Sequence, residues 1–99
     1  MLDLFILWAR QISRRPVGQD IEMRLTVSEP SANPSARLDI DAPTMVARVT
    51  CWESGDYDAE VIDVMTEETL FSSHGEFQAG RPVSERLSAF FEALGIKLD

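Results

Sequence analysis

The sequence predicts an α+β fold, a two-layer sandwich with an N-terminal helix, an antiparallel meander of about five strands and a C-terminal helix. Three observations predict it. Apolar residues recur at helical spacing at both ends of the chain. Between those ends, short segments alternate apolar with polar residues, the signature of strands buried on one face. Turn residues punctuate the alternating segments at intervals too short for crossover helices, so neighbouring strands pair antiparallel. Helices at both ends of such a run pack together on one face of the sheet.

Met1 to Arg15 reads as a helix, with Leu2, Phe5, Ile6, Ala9 and Ile12 on one stripe and Arg10, Ser13 and Arg14 off it. Leu4, Leu7 and Trp8 widen the apolar surface, which predicts a helix covered on more than one side. Pro16 and Gly18 end it. From Asp20 to Ser28, Ile21, Met23, Leu25 and Val27 alternate with Glu22, Arg24 and Thr26 to give the first strand. Glu29 to Pro34 is a proline-bounded loop, and Ala36, Leu38 and Ile40 alternate with Arg37, Asp39 and Asp41 in the second strand.

After the turn at Ala42-Pro43, the third strand places Met45, Ala47, Val49 and Cys51 on one side and Val46, Arg48, Thr50 and Trp52 on the other. Glu53-Ser54-Gly55-Asp56 is a hairpin turn in which Gly55 can take a positive φ. The fourth strand, Tyr57 to Met65, contains the adjacent apolar pairs Val61-Ile62 and Val64-Met65, so either both its faces are partly covered or a bulge intervenes. Glu67-Glu68 makes the next turn, Thr69 to Ser73 a short edge strand, and His74 to Gly80 a loop. Pro82 suits the first turn of the last helix, whose stripe is Val83, Leu87, Phe90, Phe91 and Leu94. Gly95 ends it in a left-handed cap, with Ile96 placed for the accompanying contact.

Size and charge narrow the function. The 99 residues, 44% hydrophobic, suit one domain over 1–99 with one modest core. A net charge of −8 opposes binding to nucleic acid, where Lys and Arg neutralise phosphates, and to anionic membranes. An acidic domain is better matched to a basic protein partner. The single cysteine, Cys51, excludes an internal disulfide. Leu2 to Trp8 lacks the basic start and the length of a signal peptide, and no stretch reaches the roughly twenty apolar residues of a membrane span. The expectation is a cytoplasmic protein.

No reaction centre is legible. His74 and Cys51 are the obvious nucleophile and base types, yet their spacing gives no reason for them to meet. The acids of 53–60 fall at short intervals but lack the glycine and closing glutamate of a calcium loop. No catalytic residue, metal or cofactor is expected, and the chain is read as a non-enzyme. What stands out instead is Val49 to Phe77, which holds no Lys or Arg, while Glu53, Asp56, Asp58, Glu60, Asp63, Glu67 and Glu68 crowd its centre. Like charges repel within a fold, and a basic partner relieves that repulsion. Trp52 and Tyr57 flank the hairpin among these acids, a composition suited to an interface hot spot with a charged surround. The plainer alternative is that Trp52 only covers Ile62 or Val64 as a cross-strand pair. Arg24, Arg37 and Arg48 fall on the same outer face and could pair with the acids.

With Arg48-Val49-Thr50-Cys51-Trp52-Glu53-Ser54-Gly55 in view, the chain resembles bacterial immunity proteins of the TriTu type. The opening LDLFILWAR, the Pro-Ser-Ala-Asn-Pro-Ser-Ala loop, the acidic strand and the C-terminal helix extend the likeness over most of the chain. The resemblance implies an antidote to a secreted ADP-ribosyltransferase toxin that modifies elongation factor Tu, acting by occupying the toxin's active site or target-docking surface. A cognate toxin domain with a basic surface is then the expected partner, met by Trp52, Glu53, Asp56, Tyr57, Asp58 and Glu60. An acidic chaperone or adaptor for a secreted effector is the second class that fits so small and acidic a module.

Overall fold

The structure, a computed structural model, describes residues 1–14, 20–28, 33–78 and 80–96. Its elements run α1 (Leu2–Ser13), β1 (Glu22–Val27), β2 (Ser35–Asp41), β3 (Met45–Trp52), β4 (Asp56–Asp63), β5 (Thr69–Glu76), α2 (Val83–Arg86) and α3 (Ser88–Leu94). Arg15 and the expected helix-ending Pro16 and Gly18 lie outside the described residues, as does the Glu29–Ala32 part of the loop before β2.

The strands form one sheet in the order β1-β2-β3-β4-β5, each antiparallel to its chain neighbour. The alternation read from the sequence sets the register. Leu38 lies opposite Leu25 and Val49, and Val49 opposite Ala59, so apolar residues share one face across four strands. That face carries Ala36, Leu38, Ile40, Ala47, Val49, Cys51, Tyr57, Ala59 and Val61, all buried. A slip of one residue would turn every one of them to water. α1 packs across β1 to β3 and α3 across β4 and β5, so the helices form one layer and the sheet the other.

Aromatic rings tie the layers together. Trp8 of α1 meets Phe91 of α3 edge-on at 5.9 Å, Phe5 stacks on Phe77, and Phe71 of β5 meets Phe90 of α3. Leu4 and Leu7 depart from expectation: more than half of each is exposed, so α1 is covered on one side only, with Trp8 alone wrapping round to α3. The C-terminal helix is divided at Leu87, whose φ of −99° and ψ of 12° leave the helical region while its side chain stays buried. Gly95 takes φ +73°, Ile96 N–H donates to Phe91 O and Gly95 N–H to Glu92 O. This is the left-handed cap expected there, and Ile96 is buried as its apolar contact.

Two features differ at the β4–β5 hairpin. The ambiguity in the fourth strand resolves as a register shift, since Val61 pairs with Phe71 but Ile62 with Thr69, leaving Leu70 as the extra residue. The fifth strand continues past Ser73 to Glu76, so His74 lies in a strand rather than a loop. Ser72, Ser73 and His74 are consecutive polar residues, so apolar alternation does not mark the extension, and Phe71 and Phe77, six residues apart, are the only large apolar side chains it puts on the helix side. At Gly75 the Tyr57 ring lies so close that a Cβ would sit 2.8 Å from its Oη.

Candidate partner-binding face

The helices lie on one side of the sheet, and among the described residues no element covers the other side. Its side chains come from the polar half of each alternation, and the register arranges them in rows across the strands. One row reads Arg24, Asp39, Arg48, Glu60, Ser72; the next reads Thr26, Arg37, Thr50, Asp58, His74. On β1 to β3 the charges are matched. Asp39 accepts a hydrogen bond from Nε of Arg37 on one oxygen and from Nε of Arg48 on the other, both at 2.9 Å, and Arg24 lies 3.9 Å from Asp41.

Beyond β3 the balance fails. Asp56, Asp58 and Glu60 all project from β4 and are exposed, as is Glu76 on β5. Glu60 faces Arg48 in register, but the Arg48 Nε is already held by Asp39. Asp58 is paired with His74 Nδ1, and this bond, followed by the Asp58 charge and the more distant Asp56, raises the His74 pKa above its ordinary value. Asp56 lies directly opposite Glu76, a like-charge cross-strand pair. Such pairs destabilise a sheet. Ser54 Oγ donates to Asp56 Oδ2 at 3.0 Å, holding that carboxylate at the hairpin.

The expected contact residues divide. Trp52, Asp56, Asp58 and Glu60 share the outer face, and Glu53 is exposed in the adjoining turn, closed by Gly55 N–H donating to Trp52 O with Gly55 at φ +96°. Trp52 lies beside Ser35 at the end of β3, whereas Ile62 pairs with Val46 six residues away. At about 3.3 Å per residue that is about 20 Å, so the cross-strand cover of Ile62 or Val64 does not occur. Tyr57 must be corrected. It points to the helix side, is 3% exposed, and stacks on Phe77 at 4.4 Å, so its ring is a core element and not a surface anchor. Strand alternation predicts this, because Tyr57 lies between the outward Asp56 and Asp58. Glu76 and His74 also belong to the face, because β5 extends beyond Ser73, where the sequence predicts a loop.

The reactive residue types stand apart. Cys51 is on the helix side and His74 on the outer side, so the sheet separates them. Burial pushes the Cys51 thiol up to about 11, which keeps it protonated at neutral pH. Among the described residues, no three His, Cys, Asp or Glu side chains gather as a metal site, and no helix is long and apolar enough to cross a membrane.

Comparison with curated proteins gives no match. A protein-family model described as "Immunity protein TriTu" matches residues 3–93, which takes in every strand and all but the first residue and last residue of the helices. The chain therefore belongs to the TriTu immunity-protein family.

Proposed function

We propose that this protein neutralises a cognate secreted toxin, an ADP-ribosyltransferase, by laying its helix-free sheet face over the toxin's active site or target-docking surface. Family membership gives an antitoxin role and a protein toxin as partner; the toxin's reaction and the face used are the reading advanced here. One observation carries it. Asp56 and Glu76 are held opposite one another, beside Asp58 and Glu60, at a cost to the sheet, and among the described residues no Lys or Arg forms an ion pair with either. A cationic toxin surface would relieve that repulsion on docking, speed association and select the partner. Trp52, partly exposed at the hairpin, supplies the aromatic contact. Inhibition needs no chemistry from this chain, and the encounter takes place in the cytoplasm that the toxin attacks.

The test is charge reversal. Asp56, Asp58 and Glu60 are replaced together by Lys, and toxin affinity, association rate and protection are measured at low and high salt. The expected result is an association rate lowered about 10-fold or more at low salt, with the difference shrinking as salt rises. Equal rates at both salt concentrations would take this face out of the mechanism.

A further inference from the structure

At the opposite end of the same face from Trp52, the polar pattern gives way to apolar residues. Val46 of β3 lies directly opposite Ile62 of β4. Val64 extends that line, its N–H donating to Thr44 O just past the end of the strand. Leu70, the extra residue at the register shift, sits next to Thr69, the partner of Ile62. Met65 follows Val64 in the turn and is 83% exposed, while Val46, Val64 and Leu70 are between 37% and 49% exposed. Isolated exposed aliphatics are ordinary, but a contiguous set rimmed by charge marks a contact surface.

The turn presents this set rigidly. Asp63 Oδ1 accepts from the N–H groups of both Met65 and Thr66, at 2.9 and 3.0 Å. Asp63 O accepts from Glu67 N–H and Asp63 N–H donates to Glu68 O. Glu67 adopts φ +63°, which is unfavourable for a residue with a side chain and is maintained by those bonds. Nothing in the core gains from this geometry, since Val64 through Leu70 are all exposed. Preorganisation of a loop lowers the ordering cost of binding, and a methionine within it adapts to whatever it meets.

We infer that Val46, Ile62, Val64, Met65 and Leu70 form a second, apolar anchor for the toxin, seated against an aliphatic or aromatic projection that Lys or Arg residues flank. The rim decides the occupant. Glu67 and Glu68 are exposed beside Met65 and the turn holds no base; on the sheet side Glu60 and Arg48 both border the patch, with Arg48 held by Asp39. A second copy of this chain would set those carboxylates against themselves in an isologous contact, on a molecule already at −8. A cationic rim on a different protein is complementary. The inference rests on the inhibitor reading and adds to it a contact about one strand length from the hairpin, where affinity comes from burial and not from charge.

The experiment uses the full chain and the purified ADP-ribosyltransferase toxin domain that it neutralises. Met65→Ser combined with Leu70→Ser is expected to weaken toxin binding about 10- to 100-fold, mostly through faster dissociation and equally at low and high salt. Met65→Leu is expected to keep wild-type affinity. Both variants should unfold at the wild-type temperature, because the replaced side chains are exposed. Affinity of the double Ser variant within about twofold of wild type would overturn the inference while leaving the inhibitor reading in place. Loss of self-association by that variant with toxin binding intact would overturn it too, assigning the patch to a second copy. A wild-type chain that fails to bind the toxin overturns both.

Discussion

The Tyr57 ring lies over Gly75, its partner across the β4–β5 pair, and a Cβ on Gly75 would come within 3.0 Å of three atoms of that ring. The contact lets an edge strand carry a glycine without leaving a gap, because the aromatic covers the bare backbone. It also directs Tyr57 inward onto Phe77.

Gly75→Ala is therefore expected to destabilise the fold by about 1–3 kcal/mol, the range for overpacking a filled site. Chemical denaturation measures it. In a double-mutant cycle with Tyr57→Phe, which removes the nearest atom, part of the cost should return, giving a coupling of about 0.5 kcal/mol or more.

Glu76→Gln is expected to act in two directions. Removing the charge opposite Asp56 relieves a like-charge pair and should raise stability by about 0.2–1 kcal/mol. The same change should slow toxin association at low salt. A gain in melting temperature together with a slower association rate would show that the carboxylate is kept for binding at the expense of the sheet.

His74 should titrate above the ordinary histidine value of 6.5, because its bond to Asp58 favours the charged ring. Its folded-state pKa is raised above the unfolded one, so the pair's contribution to stability is complete below about 6.5 and is lost as pH rises through the raised value. The Asp58 bond and charge, then the Asp56 charge, favour the proton, and Arg48 lines the same groove as His74. A proton NMR titration checks it, and Asp58→Asn should move the midpoint down toward 6.5.

Asp39→Asn should cost about 1 kcal/mol. One carboxylate holds both Arg37 and Arg48, yet those guanidiniums are close to half exposed and water screens the pairing. Thermal unfolding at low and high salt should show the difference narrowing as salt increases.

Most of the fold was legible because alternation and burial coincide from Met45 through Val61. There each inward slot holds an apolar residue and each outward slot, Val46 apart, a polar or amphipathic one. The candidate site was less so. Charge composition located the acids, but only the register reveals that Asp39 absorbs two arginines and that Asp56 meets Glu76. Tyr57 lies inward because the alternation of its own strand outweighs its place next to the hairpin. β5 runs on through Gly75, although glycine weakens strands in general, because a ring from the adjacent strand covers it. The adjacent pairs Val61-Ile62 and Val64-Met65 mark the bulge in the sequence, but the left-handed Glu67 at the turn leaves no such mark.

The meander has a kinetic consequence. Every strand bonds only to the strands immediately before and after it in the chain, so each hairpin closes over a short loop and no pairing waits for a distant segment. Rates of folding rise as contacts become more local. A sheet wired in this way should assemble faster than a Greek-key sheet of equal size.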